Sequence, residues 1–239
     1  MKIVYLSGST QDQNIGVASY GTEEKNMQEL ADLVAHYINK GEGDIGIYRN
    51  NASMTLQSTI NDSNSKKPDI HVALHSNAGG GKGTECYYSN YPVYSANGFI
   101  LASKVYNAVA PLTVSSDRGV HADTVLYTKG LAETRDTTAI ACLIEIMFHD
   151  NSVDVIDYLS KRDSIAKAIA QSIYDYFGMA YIETVTPTPI GEREIVINYL
   201  NKVSKWSTTY VTEFDKLQNQ NINVYGVINK IINCVKGEK

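Results

Sequence analysis

The sequence predicts an α/β fold: a mostly parallel twisted sheet with helices on both faces, plus a small C-terminal helical module. Three observations predict it. Apolar runs of strand length alternate with stretches of helical period, the pattern of strands joined by crossover helices. One run, Ala139 to Phe148, is apolar almost throughout, as a strand covered on both faces is. After Gly178 the composition changes at Thr184-Val185-Thr186-Pro187-Thr188-Pro189, where prolines two apart stiffen the chain into a linker.

The elements follow in order. Lys2 to Leu6 reads as a strand, and Ser7 to Tyr20 as a polar loop rich in Gly, Ser, Gln and Asn. From Glu23 the spacing of Met27, Leu30, Ala31, Val34 and Ile38 makes one apolar helical face, with Thr22 as N-cap and Gly41 and Gly43 as the stop. A strand, Asp44 to Arg49, precedes a weaker helix from Ser53 to Ser63, in which Leu56 and Ile60 share a face. Pro68 introduces a strand ending at His75, and Gly83 to Tyr88 continues as another. Gly98 to Ala110 is helical through Phe99, Leu101, Ala102, Val105 and Val109, and Thr124 to Thr128 is a short apolar segment. Ala139 to Phe148 is a strand, and Val153 to Leu159 and Ile165 to Phe177 are two helices. The expected organisation is a domain over 1-180, a linker over 181-191 and a helical tail over 192-239, whose apolar spacing suits packing on the main domain, on a surface target or on a second copy in a homo-oligomer.

Composition narrows the function. The 239 residues are 43% hydrophobic, enough for a sizeable core, and a net charge of -5 offers no basic footprint for nucleic acid. No segment approaches the length of a membrane span, and Met1 to Ser7 is too short an apolar run for a signal peptide, so synthesis in a cytoplasm is expected. Cys86, Cys142 and Cys234 are odd in number and far apart, unlike a disulfide framework or a cysteine metal site.

Active sites in such sheets lie beyond the carboxyl ends of the strands. There the run Leu74-His75-Ser76-Asn77-Ala78-Gly79-Gly80-Gly81 sets an imidazole at a strand tip beside a glycine-rich turn, where it is placed to bind metal or move a proton. Glu145 interrupts the most apolar run of the chain. It reads either as a carboxylate tied to a helix N-terminus or an arginine, or as a general base in a dry site. Glu24 opens a helix and reads as a dipole partner or a metal ligand.

Five segments, in order and at fitting spacings over residues 2 to 178, carry a resemblance. Gly21-Thr22-Glu23-Glu24, Leu74-His75-Ser76-Asn77-Ala78, Gly83-Thr84-Glu85-Cys86-Tyr87-Tyr88, Arg118-Gly119-Val120 and Leu143-Ile144-Glu145-Ile146-Met147-Phe148-His149-Asp150-Asn151 resemble the zinc-dependent N-acetylmuramoyl-L-alanine amidases, and most of all the phage endolysins of clostridial type. The resemblance implies cleavage of the amide between N-acetylmuramic acid and the first L-alanine of bacterial peptidoglycan. It implies zinc held by His, Glu and His with a further Glu as base. Carried over, Glu24 and His75 match ligands and Glu145 matches the base. It also implies that the protein is made in the host cytoplasm and acts on the wall after release.

One ligand departs from the family pattern. Where that pattern has histidine in a Gly-His-Gly turn, this chain reads Ser7-Gly8-Ser9-Thr10-Gln11. Gln11, through its amide oxygen, and His149 are the replacement candidates. His149 follows the Glu145 strand at ~13 Å if the chain stays extended, so a bend after Met147 is required. His71 is also ~13 Å from His75 along its strand and is set aside as a ligand. Asn77, Gly83, Glu85 and Arg118 are expected to hold substrate, although for Arg118 anchoring its own turn is favoured over a part in catalysis. Two alternatives remain: a non-catalytic peptidoglycan-binding module, and a zinc peptidase cutting another wall amide.

Overall fold

β1 (Lys2–Gly8), β2 (Ile45–Arg49), β3 (Ile70–Asn77), β4 (Glu85–Tyr88), β5 (Gly119–Ala122) and β6 (Ile140–Phe148) form one sheet in the order β2-β1-β3-β6-β4-β5. The computed structural model describes residues 1–114 and 118–183; the expected linker from residue 184 onward and the helical tail lie outside the described residues. β1 pairs in parallel with β2 and β3, and β3 with β6, whereas β4 runs antiparallel to β6 and parallel to β5. The helices are α1 (Glu23–Lys40), α2 (Leu56–Lys66), α3 (Ser95–Val109), α4 (Ala132–Arg135) and α5 (Ser152–Tyr176).

Alternation along the strands divides the sheet into two unlike faces. Ile70, Val72 and Leu74 of β3, with Cys142, Ile144 and Ile146 of β6, join α1, α3 and α5 in the main core. The opposite parity carries polar groups, with only a small apolar cluster, Ala73, Tyr87 and Leu143, packed by Leu131. α2 and α4 serve that second face. Asp62 of α2 accepts from the Tyr5 hydroxyl at 2.9 Å, the Ser63 hydroxyl meets His71 Nδ1 at 2.9 Å, and Glu133 of α4 reaches β1 and β3.

α1 begins where expected: Thr22 accepts from the Lys25 amide, and Gly41 closes the helix. α5 is one helix of 25 residues, where the sequence suggests two. The polar stretch between its apolar halves stays helical, with Lys161 paired to Asp157 one turn back along α5 and Arg162 paired to Glu29 of α1. β5 occupies Gly119–Ala122, ahead of the apolar segment at 124–128, which opens with a short 3-10 helix at Asp123–Val125. Among the described residues no helix is long and apolar enough to cross a membrane.

Candidate active site

Three side chains of the polar face stand in a row across the central strands. His75 of β3 is in register with Glu145 of β6, and Glu145 is in register with Glu85 of β4. Adjacent strands lie about 4.8 Å apart, so register partners leave the sheet side by side. The row opens into a cavity of about 360 Å³ lined by Gln11, Glu23, His75, Asn77, Glu133 and Glu145, with Leu56, Leu126 and Tyr127 at its mouth.

His75 is clamped between two carboxylates. Its Nδ1 lies 2.9 Å from Glu23 Oε1 and its Nε2 lies 2.9 Å from Glu133 Oε2. Burial disfavours charge on the ring, but the two carboxylates outweigh it and raise the imidazole well above its ordinary value. Burial likewise opposes ionisation of Glu133, yet the two histidines facing it hold its carboxyl well below the usual range. The Ser7 hydroxyl also donates to Glu133 Oε1, and His71 Nε2 faces that oxygen at 3.6 Å, beyond hydrogen-bond reach. Glu23 is lowered against the cost of burial by hydrogen bonds from His75, Asn14 and Ser9.

Glu145 is treated differently. Part of its surface opens to the cavity, yet Oε2 is buried with no hydrogen-bond partner. Burial is the main cause that raises its carboxyl to about 8; Glu23 and Glu85 add to the rise and His75 opposes it. An unpartnered buried polar group costs about 1–3 kcal/mol, so the position is held at some expense to stability. A carboxyl poised near neutral pH beside an imidazole is equipped to take and return a proton.

Several expected assignments change. Glu23, not Glu24, meets His75: Glu23 is 1% exposed, whereas Glu24 sits about 100° further round α1 and is half-buried. Gln11 lies against the site, its Nε2 3.4 Å from His75 Nδ1 and its Oε1 accepting from Asn14 Nδ2 at 2.9 Å. His149 lines the cavity, brought there by a register shift between His75 and Asn77. Its Nδ1 is committed to Ser76, 3.0 Å from the hydroxyl and 3.1 Å from the carbonyl, and its ring stacks on Tyr20.

The substrate-facing assignments divide as well. The Gly83 amide donates to Asp154 at 2.9 Å, and those of Gly79 and Gly80 donate to Asp150 at 2.8 Å, so these glycines shape the rim rather than offer donors to a substrate. Glu85 accepts from Asn77 Nδ2 at 2.5 Å and pairs with Arg118 Nε at 2.9 Å, joining those three residues beside the row.

Two residues of the polar face escaped sequence reasoning. Glu133 lies on a four-residue helix with no period to read, and nothing local marks it. His71 is set aside on a ~13 Å separation measured along the strand. The two rings lean together enough for one carboxylate to face both.

Among the described residues no group of three or more His, Cys, Asp and Glu side chains is arranged to hold a metal ion. The donors that converge are His75 Nδ1 and Glu23 Oε1; the Gln11 amide stands beside them with Nε2 toward His75, and its Oε1, which accepts from Asn14, joins the set only when the amide turns. Such a mixed nitrogen and oxygen set suits a divalent ion of borderline hardness, with the amide as its weakest member. The second nitrogen of His75 is held by Glu133, as a ligating histidine's outer nitrogen commonly is.

Comparison with solved structures places this architecture among amidase catalytic domains. The catalytic domain of CwlV, an amidase from Bacillus (Paenibacillus) polymyxa var. colistinus, aligns with TM-score 0.64 at 19% identity, covering 75% of this chain and 99% of that one. AmiC2 of Nostoc punctiforme aligns with TM-score 0.62 at 17% identity, over 74% of this chain and 97% of that one. The catalytic domain of the CD27L endolysin targeting Clostridia difficile aligns with TM-score 0.57 at 21% identity, over 76% and 99%. Comparison with curated proteins gives no match. Residues 7–175, most of the described chain and the whole of the row from His75 to Glu85, match the N-acetylmuramoyl-L-alanine amidases, and the protein belongs to that family.

Proposed function

We propose that this peptidoglycan-hydrolysing amidase is a zinc-dependent lytic enzyme of the endolysin type, released from the cytoplasm of a bacterial host to act on its wall. The observation that carries the reading is Glu145, a carboxylate with one oxygen buried and unpartnered, in register with His75. His75, Glu23 and Gln11 would hold the zinc. When bound, the ion supplies a Lewis acid and a more acidic water.

The chain's own residues do the rest. Glu145 takes a proton from the attacking water as its oxygen bonds to the lactyl carbonyl carbon. It returns that proton to the alanine nitrogen as the C–N bond breaks, leaving a lactyl carboxylic acid and a free amine. Glu133 fixes the His75 ring through Nε2, and Ser7 anchors Glu133 in turn. A module that only grips the wall gains nothing from a buried unpartnered carboxylate, which favours the enzyme over the binding reading.

The test is to incubate the protein with purified cell walls, with and without chelator, and to measure newly freed N-terminal alanine. Release that stops on chelation and returns with zinc is expected. Wall binding without release would sink the catalytic reading, and release indifferent to chelator would sink the zinc.

A further inference from the structure

Beside the catalytic row lies a second, wider cleft of about 660 Å³, walled by Gly81, Lys82, Glu85, Arg118, His121 and Asn151. Its walls carry two cations, Lys82 and Arg118, against one carboxylate, in a chain whose net charge is -5. That carboxylate, Glu85, is spent: Oε1 accepts from Asn77 and Oε2 pairs with Arg118 Nε. Asp150, on the neighbouring rim, turns its carboxylate to the amides of Gly79 and Gly80. The Glu85–Arg118 pair balances itself, so the excess positive charge of the cleft is that of Lys82, with the free edge of the Arg118 guanidinium beside it.

Arg118 is fixed as well as charged. Glu85 holds its Nε at 2.9 Å, its guanidinium lies 5.1 Å from the centre of the Phe148 ring, and its backbone amide donates to Thr84 at 3.0 Å. The Phe148 ring is itself locked, packed so closely over Gly81 that a Cβ there would meet it at 2.5 Å. Yet the Arg118 side chain remains 40% exposed. A guanidinium held at one edge and open at the other is a ready fork for a carboxylate.

Position completes the picture. Arg118 directly precedes β5, in which Gly119 is in register with Glu85, itself in register with Glu145. Two strand spacings, ~9.6 Å, thus separate the Arg118 strand from the base. On its other side Glu145 faces a different surface, with exposed Leu56, Leu126 and Tyr127 at the cavity mouth.

We infer that the Lys82–Arg118 cleft is a carboxylate subsite that takes the acidic residue of the stem peptide and sets the direction in which substrate lies across Glu145. This rests on the amidase reading above. Past the scissile amide the peptide runs through alanine to a glutamyl residue joined through its side chain, which leaves its α-carboxylate free. Extended chain spans ~3.3–3.6 Å per residue, so that carboxylate, on the second residue, falls ~7 Å beyond the cut. The Arg118 side chain, which reaches back from its strand to Glu85, meets it inside the ~9.6 Å between that strand and Glu145. The sugar then lies over the Leu56–Leu126–Tyr127 lip.

Two soluble probes test it: the tripeptide L-alanyl-γ-D-glutamyl-L-lysine amide, and the same tripeptide with its α-carboxylate converted to carboxamide. Calorimetric titration of wild type should show the acid binding at least ~10-fold tighter than the amide, a difference of one decade in Kd. Arg118→Gln should bring the two probes within about 2-fold in protein that circular dichroism shows still folded, and Lys82→Ala, at an exposed position, should narrow the gap without removing it at an unchanged melting midpoint. Equal binding of the probes by wild type, or a preference that survives both substitutions, overturns the subsite. Alanine release from walls is read separately. Release without a carboxylate preference refutes the subsite alone, whereas the preference without release refutes the amidase reading and leaves the subsite standing.

Discussion

His75 and Glu145 are register partners on adjacent parallel strands and share the polar face of the sheet, one clamped by two carboxylates and the other carrying an unpartnered buried oxygen. Charge is stabilised on the first and withheld from the second, so the pair is already divided between a group that stays put and a group that moves a proton.

Replacing Glu145 with Gln keeps the shape and removes the proton acceptor. Alanine release should fall by roughly 10²–10⁴ at unchanged wall binding, the usual worth of a positioned acid–base group. Turnover within a few-fold of wild type would remove Glu145 from the chemistry.

Stability should depend on pH through the same residue. The folded carboxyl titrates at about 8 against an ordinary 4.5, so between those values the folded protein keeps a proton that the unfolded chain has lost. Stability therefore falls as pH rises through this window, by up to about 1.4 kcal/mol per pH unit from this group. Glu133, held low, acts with the opposite sign: its contribution is present above the ordinary carboxylate value and lost as pH falls below it. Urea midpoints of chelator-treated protein between pH 5 and 8 should decline more steeply in wild type than in Glu145→Gln; parallel curves would refute the assignment.

The two adjacent glutamates of α1 should separate cleanly. Glu23→Gln removes the carboxylate at His75 Nδ1 and should abolish tight zinc binding, whereas Glu24→Gln should leave affinity within about 2-fold, under 0.5 kcal/mol. Zinc competition with a fluorescent chelator reads both, and the reverse order would restore Glu24 as the ligand.

Glu133→Gln should weaken zinc affinity about 10–100-fold and lower kcat with little change in KM, because Glu133 acts on His75 rather than on substrate. A change in KM alone would assign it to binding instead.

Gln11→His supplies the missing imidazole and should tighten zinc roughly 10-fold or more, about 1.4 kcal/mol in the same competition assay. No change would show that the loop after β1 does not reach the metal.

The sheet, its two central strands and the tip histidine were legible in the sequence because alternation and apolar runs are local signals. The choice between Glu23 and Glu24 was also within reach. Glu23 lies about 20° round the helix from Val34, in the apolar stripe, and Glu24 about 80° away. Glu133 was not, because its meaning comes from where a four-residue helix lands against β1 and β3, contacts 126 and 58 residues apart in sequence. The fates of the glycine amides at Gly79, Gly80 and Gly83 were hidden for the same reason, since their acceptors Asp150 and Asp154 lie about 70 residues on.

The parity of β3 has an engineering consequence. Ile70, Val72 and Leu74 touch only the apolar side, while His71 and His75 occupy the other. Thermal robustness and catalytic behaviour are thus written on alternate letters of one strand. A library restricted to Ile70, Val72 and Leu74 can search for a tougher protein while His71 and His75 stay as they are.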